Sequence, residues 1–276
     1  DYVMKIGLYQ YLLLYFPLLP DLAILKNHYK ESSPKLSKWY GKLALKWTGS
    51  LAQKTIQLKS IQIICILIIP TAFMLQSIDA WLFSTLFRVG WDSTNMGAYF
   101  ISGASVAGIG ALVTVVYVIR KVYKLDEYIT DFHFDKLGKF LVLLCLIYLY
   151  FNVNEYVIPE FTSKKEEITH LNHLYTGNFA PLFWFVIVGG LIIPITVLLF
   201  KKGRKPRPMF YMGLLVVLGS WWKRFLIVTP TLLQPFLPIQ GVPESWHHYY
   251  PSFHEWVITF GTLAMALLII TILVRY

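Results

Sequence analysis

The sequence predicts an all-α protein, a polytopic membrane helical bundle of about seven transmembrane helices. Three observations predict it. The 276 residues are 56% hydrophobic and only 14% charged, and the mean hydropathy is +0.55. A soluble chain of this length needs more charge to cover its surface. The apolar residues also come in runs of about 20, the length that crosses a hydrocarbon core. Finally, the connections between these runs alternate sharply in basic content. The bilayer is therefore the main solvent, and residues 1–276 form a single integral membrane domain.

Taken in order, the runs predict helices over residues 3–20, 56–78, 97–119, 137–158, 179–200, 208–229 and 255–275. Residues 26–59 hold eight Lys, 120–139 hold five Lys or Arg, and "KKGRKPR" (201–207) holds five. The intervening connections hold Arg88, then Lys164 and Lys165, and none between 230 and 254. Eighteen against three is a strong positive-inside signal. It predicts a basic cytoplasmic connection at 26–59 and a cytoplasmic C-terminus. The formal charge of +10 then reports topology and attraction to lipid headgroups, and no nucleic-acid motif accompanies it. Asp1 is no initiator, so the chain is expected to be part of a longer protein.

Two cysteines, Cys65 and Cys145, fall inside predicted spans and form no CxxC pattern. No iron-sulfur cluster is expected here. The seven histidines lie in connections or at helix ends, which does not suit a haem held between helices. "HLNH" (170–173) could set two imidazoles on one helical face, yet no third ligand is near, so a solvated loop is expected and no metal.

Span 97–119 carries small residues four apart (Gly103 and Ala107, Ala104 and Gly108), which allow a neighbouring backbone to approach. Prolines at 17, 20, 70, 194 and 230 free carbonyls that must find other partners. Ionisable residues at membrane depth are costly unless paired or hydrated, and that makes them functional candidates. Toward the outer side these are Asp79, Arg88, Asp92, Glu155, Lys223, Arg224 and Glu255, with Gln76, Trp91, Trp221 and Trp222 beside them. Asp21, His133 and Asp135 lie toward the inner side. Trp221, Trp222 and Lys223 suit an interfacial belt, whereas Arg224 and Glu155 suit a charge pair or a polar cavity. Asp21 suits either a solvated helix end or a proton carrier.

"YFPLLPDLAILKN" (15–27), "YGKLALKWTGS" (40–50), "RFLIVTPTLLQPFLP" (224–238) and "YYPSFHEWVITFGTLA" (249–264) resemble the polysulfide-reductase membrane subunit family, NrfD/PsrC. With "HFDKLGK" (133–139), their order is most similar to the larger NrfD-type quinol-oxidising subunit of bacterial alternative complex III. That subunit is expected to carry His in the second span and Trp-His-x-Thr after it, where this chain has Gln76–Ser77 and "WDSTNMGAYF" (91–100). The resemblance implies about three further spans before Asp1 and a place in the bacterial inner membrane. It also implies a quinone (menaquinone or ubiquinone) as substrate, without haem or cluster in this chain. A peripheral iron-sulfur subunit on the outer face and other membrane subunits are the implied partners.

Two readings outside that assembly stay open. One is the membrane anchor of a molybdenum/iron-sulfur reductase of the same family, and the other is a secondary transporter. The proton-transfer candidates are Asp21, His133, Asp135, Asp79, Asp92 and Glu155. Gln76, Trp91, Arg224 and Glu255 are the charge-pairing or quinone-cavity candidates.

Overall fold

Each predicted span lies along helix in the computed structural model, which describes residues 2–45, 47–86, 88–91, 95–162, 165–233, 249 and 251–275. Among the described residues, ten α-helices follow one another: α1 (Tyr2–Ser32), α2 (Pro34–Leu43), α3 (Leu51–Ser84), α4 (Met96–Val122), α5 (Asp131–Thr162), α6 (Lys165–Tyr175), α7 (Ala180–Trp184), α8 (Ile193–Leu199), α9 (Pro206–Leu233) and α10 (Phe253–Arg275). A π-helical stretch, Phe185–Ile192, joins α7 to α8. Among the described residues no strand forms. Among the described residues, five stretches are long and apolar enough to cross a membrane: α3, α4, α5, the run Ala180–Leu199, and α9. α10 adds a shorter apolar stretch, Phe253–Ile269. Large apolar side chains along α3, such as Ile63, Ile66, Ile69 and Phe73, are exposed, as lipid-facing positions are. The chain divides into two compact units.

The first unit holds residues 1–87, 91–109 and 143–152. Here α1 packs against α2 and α3. Pro20 cannot donate to the carbonyl of Phe16, and the Nε2 of Gln57 donates to that carbonyl instead, at 2.5 Å. The side chain of Ser37 donates to the Lys26 carbonyl at 2.9 Å, and Tyr29 stacks on Tyr40. These contacts fold α2 back along α1. At the start of α3, Ser50 caps the helix by accepting from the Gln53 amide, while Gln53 Oε1 accepts from the Thr48 and Gly49 amides. In the first half of α4, Gly103 lies under the ring of Tyr148, so the small residue does admit a neighbour. Gly108 meets nothing within 4 Å. The packing expected of both is found at one.

The second unit holds residues 88–90, 110–142 and 153–276. Its centre is α9, whose buried residues Met209, Gly213, Val216, Gly219, Lys223, Leu226 and Pro230 recur at three and four, one helical face. Two glycines on that face bring backbones together. A Cβ on Gly213 would lie 2.9 Å from the Gly110 carbonyl of α4, and one on Gly219 would lie 2.6 Å from the Gly190 Cα. The π-helix arises beside the second contact. Pro194 has no N–H for the Gly190 carbonyl, and the Ile193 amide bonds to Val188, five residues back.

The basic ends of this unit's spans are tied by ion pairs. Arg204 donates to Asp135 at 2.7 Å and to the carbonyls of Leu198 and Leu199 at 2.8 Å, closing the end of α8. Lys139 takes the other oxygen of Asp135 at 2.7 Å. Arg120, at the end of α4, meets Asp126 at 2.8 Å and Asp131 at 3.2 Å.

Candidate functional site

At the opposite end of the second unit, a charged side chain is buried in the apolar wall. Lys223 is 3% exposed. Its ammonium donates to the hydroxyl of Tyr156 and sits 4.5 Å from the centroid of the Tyr156 ring. The opposite charge that acts on it is the carboxylate of Glu155, whose Oε2 is fully covered. A buried ammonium persists only when a carboxylate and hydrogen bonds replace its water. The last turns of α5 supply both groups, at adjacent positions.

Aromatic and aliphatic side chains close around the pair. Phe183 meets Tyr156 edge-on at 5.1 Å and Tyr175 at 5.4 Å. Leu174, Val186 and Leu226 are buried with Phe183, and Trp222 packs against that group. His170 of α6 is a further neighbour, 8% exposed, and its Nδ1 has no hydrogen-bond partner among the described residues. Gly90, at φ +84°, leaves the room this ring occupies: a Cβ there would lie 3.4 Å from His170 Nε2. Thr231, also buried, borders the same space: its Oγ1 would lie 3.8 Å from that Cβ. The arrangement offers one carboxylate, one ammonium, one phenol and one neutral imidazole in an apolar enclosure. Such a set can hydrogen-bond a ligand oxygen and move a proton to or from it.

Burial, and then the charges of His173 and Lys223, push the His170 pKa from the usual 6.5 down to about 4. The sign of the consequence follows directly. The unfolded chain binds a proton below pH 6.5 that the folded chain resists down to about 4, so folding weakens across that window and levels off beneath it, by up to about 3 kcal/mol. The protection factors of the α6 amides, taken against the intrinsic exchange rate at each pH, are expected to fall as pH drops from 6.5 toward 4, and His170→Phe is expected to remove that slope. An unchanged slope in that variant would assign it to other groups.

The sequence-derived candidates separate. Glu155 acts electrostatically on the cluster's lysine, but Arg224 is exposed, and Lys223 is the buried cation. The reason is helical phase, because 223 shares the buried face of 216, 219 and 226 while 224 is turned about 100° from it. His170, expected in a solvated loop, is buried on a helix. The buried stripe along α9 was the available signal for Lys223; Tyr156 carried none beyond adjacency to Glu155. Glu255 is exposed and caps its own helix, accepting from the Ser252 amide at 2.6 Å while Ser252 Oγ faces the Glu255 amide at 3.4 Å.

Asp135 is held by Arg204 and Lys139, and His133 is exposed with Nδ1 accepting from the Thr130 amide at 3.2 Å. Asp21 and Asp79 are exposed and Gln76 is half-buried, all in the first unit. Trp91 of that unit is buried edge-on against Phe83. Asp92 lies outside the described residues, as does the connection over 234–248.

The sequence model described as "Polysulphide reductase, NrfD" matches residues 2–235, a range that contains every member of the buried cluster. A selenate reductase subunit from Mesobacillus selenatarsenatis is 27% identical over 215 residues, covering 75% of this chain and 49% of that protein. The chain thus spans about half the length of the curated relative it matches. With several helices apolar and long enough to span a membrane and a family match over most of its length, this multi-pass membrane protein belongs to the NrfD polysulphide reductase family.

Proposed function

We propose that this chain is the quinone-reactive integral membrane subunit of a respiratory oxidoreductase complex, and that Glu155, Tyr156, Lys223 and His170 form the polar side of its quinone site. The observation that carries the reading is the buried Lys223, bonded to the Tyr156 hydroxyl, under the opposite charge of Glu155 and beside an aromatic wall. A quinone is a flat apolar ring with two oxygens that change protonation on redox turnover. An aromatic enclosure with a donor and a titratable acceptor fits that chemistry.

When a quinol is oxidised, two electrons and two protons leave it. The ammonium of Lys223 and the hydroxyl of Tyr156 are donors for a ring oxygen, and Glu155 is the acceptor for a departing proton. The electrons pass to an iron-sulfur subunit seated at the outer face, against the aromatic connection between 230 and 254. The selenate reductase name of the relative favours a reductase, of the molybdenum/iron-sulfur kind, over alternative complex III as the assembly served. Menaquinone or ubiquinone is the substrate class.

The basic connections 26–59, 120–139 and 201–207 face the cytoplasm of a bacterial inner membrane, because their charge would otherwise have to be translocated. Cysteine introduced at Ser33 is expected to resist membrane-impermeant reagents in intact cells; labelling there would reverse the topology. Among the inner candidates, Asp21 is the proposed proton carrier. It is exposed, whereas Asp135 is engaged by two cations.

Steady-state quinol oxidation by the purified complex tests this function. Glu155→Gln keeps the shape and removes the titratable charge, and is expected to lower turnover by about 100-fold, the usual contribution of a positioned acid or base. Asp21→Asn is expected to leave quinol chemistry intact and to weaken its coupling to the membrane potential. Wild-type turnover in Glu155→Gln, with the complex assembled, would contradict the assignment.

A further inference from the structure

The second unit has a cavity of about 460 Å³ at its basic end, remote from the cluster around Lys223, formed by the end of α4, the turn after it, and the start of α9. Arg120, Lys121, Lys205 and Arg207 line it, with Tyr117 and Asp126. The charges do not cancel. Arg120 is taken by Asp126 and Asp131, whereas Lys121, Lys205 and Arg207 have no acidic partner among the described residues. Three cations thus converge on an open cavity of a size that admits a phosphate ester, and like charges are held together there at a cost that a bound anion would relieve.

The surroundings decide which anion. Below Lys121 on the same side of α4 comes the exposed Val118, and below Arg207 on α9 come the exposed Tyr211, Leu214 and Leu218. At 1.5 Å per residue, the stripe on α9 runs about 16 Å into the span. Tyr117 and Phe210 pack between the two helices, centroids 4.8 Å apart, and give the groove an apolar floor. Cations at the rim and an apolar track beneath them match a lipid headgroup and its acyl chains. A free anion would use the rim and leave the track without purpose.

We propose that this cavity binds the phosphodiester of an anionic phospholipid, with Lys121, Lys205 and Arg207 on the phosphate and the acyl chains along α4 and α9. The site is separate from the quinone chemistry, and its test does not depend on activity. Native mass spectrometry of the delipidated, detergent-purified complex would follow binding of phosphatidylglycerol, phosphatidylcholine and inorganic phosphate.

Phosphatidylglycerol is expected to bind, and Lys121→Gln/Lys205→Gln/Arg207→Gln to weaken it by at least about 10-fold, each basic residue near the surface contributing. Lys201→Gln/Lys202→Gln removes neighbouring cations that do not line the cavity and is expected to leave binding unchanged. Equal binding of phosphatidylcholine, equal loss in both variants, or displacement of the lipid by millimolar inorganic phosphate would overturn the proposal. The three cavity cations are exposed, so folding is expected to survive their replacement; should the triple variant fail to accumulate, Arg207→Gln alone is read against the same control.

Discussion

Replacing Lys223 by Met is expected to destabilise the protein by about 3–5 kcal/mol and to abolish quinol turnover. The stability loss follows from the partner left behind. Lys223 is 3% exposed, its ammonium bonds to the hydroxyl of Tyr156, and the opposite charge acting on it is the half-buried Glu155. Removing one member of a buried pair leaves the other charged in an apolar enclosure, which costs about that much. The double variant Lys223→Met/Glu155→Gln removes both charges at once and is expected to recover most of the stability while staying inactive. Thermal unfolding and turnover measured on all three proteins therefore separate the two roles. Recovery of activity along with stability would show that the pair is architectural only.

The second large effect lies one turn away. Gly219→Val is expected to cost at least about 1–3 kcal/mol, the range of overpacked cores, and to disturb the quinone site with it. A Cβ at 219 would stand 2.6 Å from the Cα of Gly190, and backbone cannot rotate aside as a side chain does. The π-helix and α9 would have to part, carrying Lys223 and Phe183 away from one another. Gly108→Ala provides the control within the same protein, because nothing lies within 4 Å of the added carbon. That variant is expected to be neutral or slightly stabilising. Equal losses at both positions would remove close approach as the explanation.

These effects show which features could be read from the residues and which could not. Span placement was legible because lipid demands long apolar runs and leaves no room for ambiguity of period, so 56–78, 97–119, 137–158 and 208–229 fall inside α3, α4, α5 and α9. Family membership was legible from short motifs near both ends of the matched region. The choice between Lys223 and Arg224 was harder. Both are basic, adjacent and next to tryptophans, and only the phase of α9 separates them.

That phase was present in the sequence as Gly213, Val216, Gly219 and Leu226, but the small residues among them read as packing until their partner backbones are known. His170 failed for a different reason. "HLNH" lies in a polar connection between spans, and burial of such a segment depends on what folds over it, here Gly90 and α9. The role of Asp135 depended on Arg204, a contact 69 residues away in sequence. No local pattern announces such a pair.

A photoreactive quinone analogue, irradiated in the purified complex and mapped by peptide mass spectrometry, tests the central claim most directly. The account predicts covalent labelling on the segments that wall the buried lysine, 153–156, 170–186 and 219–231, with competition by native quinol and loss of the adduct in Lys223→Met/Glu155→Gln. Labelling confined to other helices, with these segments untouched and the complex still turning over, would contradict it.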